Sequence, residues 1–159
     1  MTKYNIFLDS SALVAGVLSE TGAAHVLLML GENEDILLTV SEMVIIESER
    51  AITIKSPRNI PVLRNAIVSS NLTIVRDPSN REVEANLYLI HDPNDVPILL
   101  AAMKAKVDYL ATHNRRHFLD DPNVAEKSGI KIGTPGDILA WLRENFQNIG
   151  GDFEFRSLG

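Results

Sequence analysis

Short apolar runs alternate along this chain with amphipathic stretches, and most runs end in a polar residue able to start a helix. Residues 4–8 read as a buried strand, and Asp9, Ser10 and Ser11 supply cap chemistry for a helix over 12–18. After Thr21 and Gly22 a second helix is expected over 23–30, stopped by Gly31. A second strand over 36–40 leads through the capping residue Ser41 into a helix over 42–54. Pro57 and Pro61 bracket a turn before a helix over 62–69, and the branched, alternating run 72–75 is a third strand. The break at 77–80 precedes a helix over 83–90, and the turn at 92–95 one that ends near Lys104. Residues 109–112 and 130–132 read as the fourth and fifth strands, and 134–137 opens an amphipathic helix over 138–146.

Strands alternating with helices predict an α/β fold with a parallel sheet covered on both faces. In such sheets function collects at the carboxyl ends of the strands. Asp9 and Thr112 stand at two of those ends, Ser41 begins the loop at a third, and Asp95 starts a helix that reaches the same edge. One domain is expected over 1–148 and a tail over 149–159. Weak period-two alternation leaves two readings of the tail, disorder or an added edge strand. Its Phe153 and Phe155 favour a homodimer, because aromatic rings on a polar tail gain from being covered.

Composition narrows the chemistry. A chain of 159 residues can bury a sufficient core without disulfides or structural metal. The absence of cysteine excludes zinc-thiolate, iron-sulfur and thiol chemistry. A net charge of -6 argues against a broad nucleic-acid coat held by phosphate attraction alone, while leaving room for a basic rim around an acidic centre. No apolar run approaches the ~20 residues that span a bilayer, so no membrane association is expected. The N-terminal residues lack the pattern of a secretory signal, and a cytoplasmic location is the expectation.

Acidic residues recur where apolar elements begin or end: Asp9, Glu47 and Asp95. Carboxylates gathered from distant segments repel one another unless a positive charge sits between them, and a hard divalent cation is the usual one. Each also has a plainer reading. Asp9 and Asp95 suit helix caps, and Asp92 suits an Asp-Pro turn. Glu47 shares a helical row with Met43, Ala51 and Ile54, but periodicity alone does not separate it from Glu42 and Glu49. Arg115 and Arg116 follow Asn114 directly and suit phosphate contact, with a solvated turn as the alternative. His113 and His117 make a poor zinc pair without a third ligand and are expected to face RNA or solvent.

The pieces Phe7-Leu8-Asp9-Ser10-Ser11, 41–47 with Ser41 and Glu47, 92–102 with Asp92 and Asp95, and 108–118 with Thr112 and Asn114 together resemble the PIN-domain ribonuclease family. Gly133-Thr134-Pro135 before the last helix is similar to that family as well. The resemblance implies a three-layer α/β/α sandwich with Asp9, Glu47 and Asp95 around one or two Mg2+ or Mn2+ ions, Asp92 in reserve. It implies hydrolysis of single-stranded RNA to a 5'-phosphate and a 3'-hydroxyl by metal-activated water. Asn114 stands where the family holds Asn or a further Asp, positioning the metal or its waters. An uncharged residue there should weaken a second metal more than the first. Ser10, Thr112, Arg115 and Arg116 are expected to contact the substrate. Many similar small proteins are toxins held by an antitoxin protein, which makes an antitoxin a further expected partner.

Two rival functions remain. A haloacid dehalogenase-type phosphatase also begins with Asp after its first strand, but it needs a second Asp two positions on, where Ser11 stands. A catalytically weak PIN-like module binding RNA or protein is the stronger rival, because Asn114 and the net negative charge both suit it.

Overall fold

The computed structural model describes residues 3–148. Five strands, β1 (Asn5–Leu8), β2 (Leu37–Ser41), β3 (Thr73–Val75), β4 (Tyr109–Ala111) and β5 (Lys131–Gly133), form one sheet in the order β3-β2-β1-β4-β5. Every pairing is parallel, with Phe7 opposite Thr39 on one side and Leu110 on the other. Helices α1 (Ser10–Leu18), α2 (Ala23–Glu32), α3 (Glu42–Lys55), α4 (Ile60–Ser69) and α8 (Pro135–Asn148) pack among themselves as one layer. The helices α5 (Asn80–Ala85), α6 (Val96–Lys104) and α7 (Pro122–Ser128) form the other. This is the expected α/β/α sandwich.

The central strand shows why the pattern was readable. Ile6, Phe7 and Leu8 are all buried, because helices cover both faces and no alternation with polar residues is required. Where the chain leaves β1 it turns first toward β2 and β3, then crosses back to β4 and β5. The order therefore reverses between β1 and β4, and a crevice opens at their carboxyl ends. Asp9 and Thr112 follow those two strands directly.

Several elements differ from expectation for identifiable reasons. Gly31 does not stop α2, which continues to Glu32. A Cβ on Gly31 would stand 2.5 Å from Leu38 Cδ1 and 2.8 Å from the Ser70 carbonyl oxygen, so glycine serves close packing there. The helix expected over 83–90 is α5, begun earlier by a capping box between Ser79 and Glu82. It ends at Ala85, after which Leu87–Leu89 forms a 3-10 turn. The Asn86 side chain donates to the Glu82 carbonyl, competing with the helical ladder. Residues 113–129 received no expected element, yet they hold a π-helical turn, Arg115–Leu119, and α7. Only Val124 of α7 is buried, which leaves no apolar period to read. The tail over 149–159, with Phe153 and Phe155, lies outside the described residues. Among the described residues no single helix is long and apolar enough to cross a membrane.

Candidate metal centre

Asp9 is 5 % exposed and sits at the N-cap of α1. Its Oδ1 accepts from the Ala12 amide at 3.0 Å and from the Ser11 hydroxyl at 2.6 Å, and its Oδ2 accepts from the Thr112 hydroxyl. Capping and membership of the site are therefore compatible for this residue. Burial raises its carboxyl above the ordinary value, opposed by these same hydrogen bonds. Thr112 is fully buried, and its oxygen also accepts from the Asn114 amide at 3.0 Å. The Ser11 oxygen accepts from the His113 amide at 2.9 Å. Two hydroxyls thus fasten the end of β1 to the loop after β4.

Glu47 is distinguished from its neighbours by its partner. Ser10 donates to Glu47 Oε2 at 2.9 Å, joining α1 to α3. Glu42 instead accepts from the Asp77 amide at 3.1 Å, while Asp77 accepts from the Met43 amide, a clasp that ties α3 to the chain after β3. Ser10 and Thr112, both expected at the substrate, direct their hydroxyls to carboxylates.

Asp92 opens a 3-10 turn, Pro93–Asp95, and its Oδ1 accepts from the Asn94 amide at 2.9 Å. The turn reading of Asp92 holds for that oxygen, while Oδ2 lies 3.6 Å from His117 Nδ1. Asp95 occupies the N-cap of α6 but makes no capping bond. Its Oδ2 is buried and pairs with His117 Nδ1 at 2.7 Å. Desolvation raises the Asp95 carboxyl; His117 opposes this, and the charges of Asp92 and Asp9 add to it. Asp9 is therefore close enough to be felt electrostatically.

His117 is a correction to the expectation of RNA or solvent contact. It belongs to the turn Arg115–Leu119, where Asn114 Oδ1 accepts from the His117 amide at 3.1 Å and buried Phe118 anchors the segment. That geometry turns the imidazole toward Asp92 and Asp95. No sequence spacing signals this contact, because the partners lie on separate elements. His113 is exposed, as expected. Arg116 joins His91, Asp92, Pro93 and His117 around a cavity of about 310 Å3, and Arg115 is exposed one residue before it.

Ligand atoms of Asp92, Asp95 and His117 all fall within 4.8 Å of one another, whereas Asp9 and Glu47 stand outside that group. Two carboxylates and one imidazole make a donor set that fits a divalent cation. The expected carboxylates thus gather in part: Asp95 with Asp92, Asp9 nearby through its field, and Glu47 held separately by Ser10.

The profile of the PIN domain family matches residues 5–116. Among solved structures, PAE2754 from Pyrobaculum aerophilum is similar at 18% identity and a TM-score of 0.62, covering 89% of this chain and 90% of that one. VapBC2 from Rickettsia felis, solved bound to a DNA fragment from its promoter, is similar at 18% identity and a TM-score of 0.59, covering 82% of this chain and 98% of that one. At such identities the likeness speaks for the fold. No curated protein matches the chain.

Proposed function

Because the chain belongs to the PIN domain family, we propose that it is a divalent-metal-dependent endoribonuclease acting on single-stranded RNA. Water adds to the scissile phosphorus, the bond to the 3'-oxygen breaks, and the products carry a 5'-phosphate and a 3'-hydroxyl. A Mg2+ or Mn2+ ion at the site would clamp the phosphate and lower the pKa of its water. The observation that carries this reading is the cluster of Asp92, Asp95 and His117, whose ligand atoms lie within 4.8 Å of one another and whose Asp95 carboxylate makes no capping bond.

The remaining residues have roles that follow from their partners. Asp92 and Asp95 would hold the cation, and Asp9 would add negative charge within its field. Thr112 and Ser11 fix the rotamer of Asp9, and Ser10 fixes that of Glu47, so both carboxylates are oriented before RNA arrives. Arg116, on the cavity wall, presents a planar guanidinium suited to a phosphate, with Arg115 beside it for the flanking backbone. An antitoxin-type protein and a second copy of the chain belong to the same reading as partners.

One observation favours a weak binding module instead. The Asn114 amide oxygen is engaged by the His117 backbone, so Asn114 contributes less to the site than a free carboxylate would. Cleavage of a labelled single-stranded RNA decides between them. The nuclease reading expects cutting with Mg2+ or Mn2+, none with chelator, and loss of cutting in Asp9→Asn, Glu47→Gln and Asp95→Asn with cooperative melting retained. Cutting that persists in all three variants would sink it.

A further inference from the structure

The cavity of about 310 Å3 is lined by His91, Asp92, Pro93, Arg116 and His117, and its volume falls within the range of pockets that accept whole small molecules. Its walls come from two separate stretches of chain. Buried Leu89 and Ile90 lead directly into His91, while buried Phe118 anchors the turn that carries Arg116 and His117. Helix α7 packs against both the 3-10 turn Leu87–Leu89 and the turn Arg115–Leu119, and Lys127 Nζ donates to the Tyr88 carbonyl at 3.3 Å. The cavity is thus framed before any ligand arrives.

The lining is rich in flat groups. His91 and His117 bring imidazole rings, Arg116 a planar guanidinium and Pro93 an apolar ring. His117 is held by its pair with Asp95 at 2.7 Å, whereas the exposed His91 and Arg116 make no side-chain hydrogen bond or ion pair among the described residues. Unpaired RNA bases stack on such imidazole and guanidinium planes, and a guanidinium also matches a phosphate. A phosphate alone would leave the faces of His91 and Pro93 unused.

We propose that this cavity is a nucleotide subsite, in which one unpaired RNA base stacks on His91 and Pro93 while Arg116 contacts its phosphate. The inference rests on the nuclease reading above and deepens it by naming what holds the strand. Asp92 belongs both to the lining and to the acidic cluster, so the nucleotide held here borders the scissile phosphate. A base inside a duplex enters only after unstacking and unpairing, so the subsite favours single-stranded segments.

Fluorescence anisotropy of the full chain, with Ca2+ in place of Mg2+, tests this with two labelled probes. One is a single-stranded oligouridylate, and the other is an oligomer of the same length whose riboses carry no base. The native chain should bind the first at least about tenfold more tightly. His91→Ala should weaken binding of the base-bearing RNA about tenfold and that of the abasic oligomer less than about twofold, while His91→Phe restores a stacking face and stays within about threefold of native. Arg116→Ala should weaken both probes alike, since phosphate contact does not depend on the base. Equal losses on both probes in His91→Ala, no loss on either, or a loss as large in His91→Phe overturns the subsite. So does native affinity in Arg116→Ala, or a native chain that binds the two probes alike or neither. RNA cutting with Mg2+ or Mn2+ by the same native chain keeps the nuclease reading when the subsite fails, and its absence removes both.

Discussion

Asp9 and Asp95 are the same residue at the same position of a helix, yet only one behaves as a cap. Asp9 has extended backbone angles, φ -77 and ψ 175, and its side chain accepts from the third amide of α1. Asp95 has helical angles, φ -91 and ψ -13, because the 3-10 turn Pro93–Asp95 has already wound the chain before α6 starts. A capping side chain reaches back to the helix amides only from the extended conformation. The turn therefore releases Asp95 from its ordinary structural task and leaves its Oδ2 facing Asp92 and His117. An acidic residue at a helix start has its carboxylate free for other partners when its backbone denies it the cap.

That contrast can be broken or sharpened by experiment. The largest effect is expected on chemistry: under the proposed nuclease function, Asp9→Asn and Asp95→Asn should each lower RNA cleavage at least about 100-fold, since both remove charge where a metal would clamp phosphate. A variant at Asp95 with native activity would return that residue to a structural role. Next in size is the linkage to metal. Mn2+ at about 100 times its dissociation constant should stabilise the protein by about 2.7 kcal/mol in denaturant melts, and Asp95→Asn should erase most of the gain.

A smaller difference reads the caps themselves. Asparagine caps nearly as well as aspartate, whereas alanine does not. Without metal, Asp9→Ala should be less stable than Asp9→Asn by about 1 kcal/mol. At position 95 the same pair should differ by less than about 0.5 kcal/mol, because no capping bond exists to lose. Equal gaps at the two positions would contradict the comparison.

The smallest expected effect concerns pH. Burial raises the Asp9 carboxyl above its ordinary 3.8. A group whose folded value is raised contributes its stability fully below the unfolded value and loses it as pH rises through the folded one. Asp9→Asn in metal-free protein should therefore become progressively more stable relative to the native chain as pH rises above about 4. A flat difference in urea melts would mean that the hydrogen bonds from Ser11, Thr112 and Ala12 cancel burial, and a reversed slope that they outweigh it.

Much of the fold was legible because the chain repeats one physical device. Apolar runs such as Ile6-Phe7-Leu8 end in Asp9, and Leu37–Ser41 ends in a serine that caps α3, so both the strands and the helix starts announce themselves. The helix over 83–90 was misread because side-chain competition at Asn86 has no signature in hydrophobic spacing. The turn Arg115–Leu119 was missed because only Phe118 is buried there. At the site, periodicity left Glu47 level with Glu42 and Glu49 and the family resemblance singled it out; the partners Ser10 and Asp77 then give Glu47 and Glu42 different surroundings.

By itself the sequence determined the parallel α/β/α architecture and the carboxyl-edge placement of Asp9 and Thr112, since burial on both sheet faces and helix capping are local demands written residue by residue. It also carried the ordered acidic motifs on which the family resemblance rests. Only the tertiary structure decided which oxygens those acids have free. Asp9 spends both of its oxygens on neighbours brought from α1 and from beyond β4, while Asp95 turns its Oδ2 to an imidazole 22 positions further along the chain. Hydrogen-bond satisfaction depends on partners distant in sequence and close in space, and no local pattern encodes it.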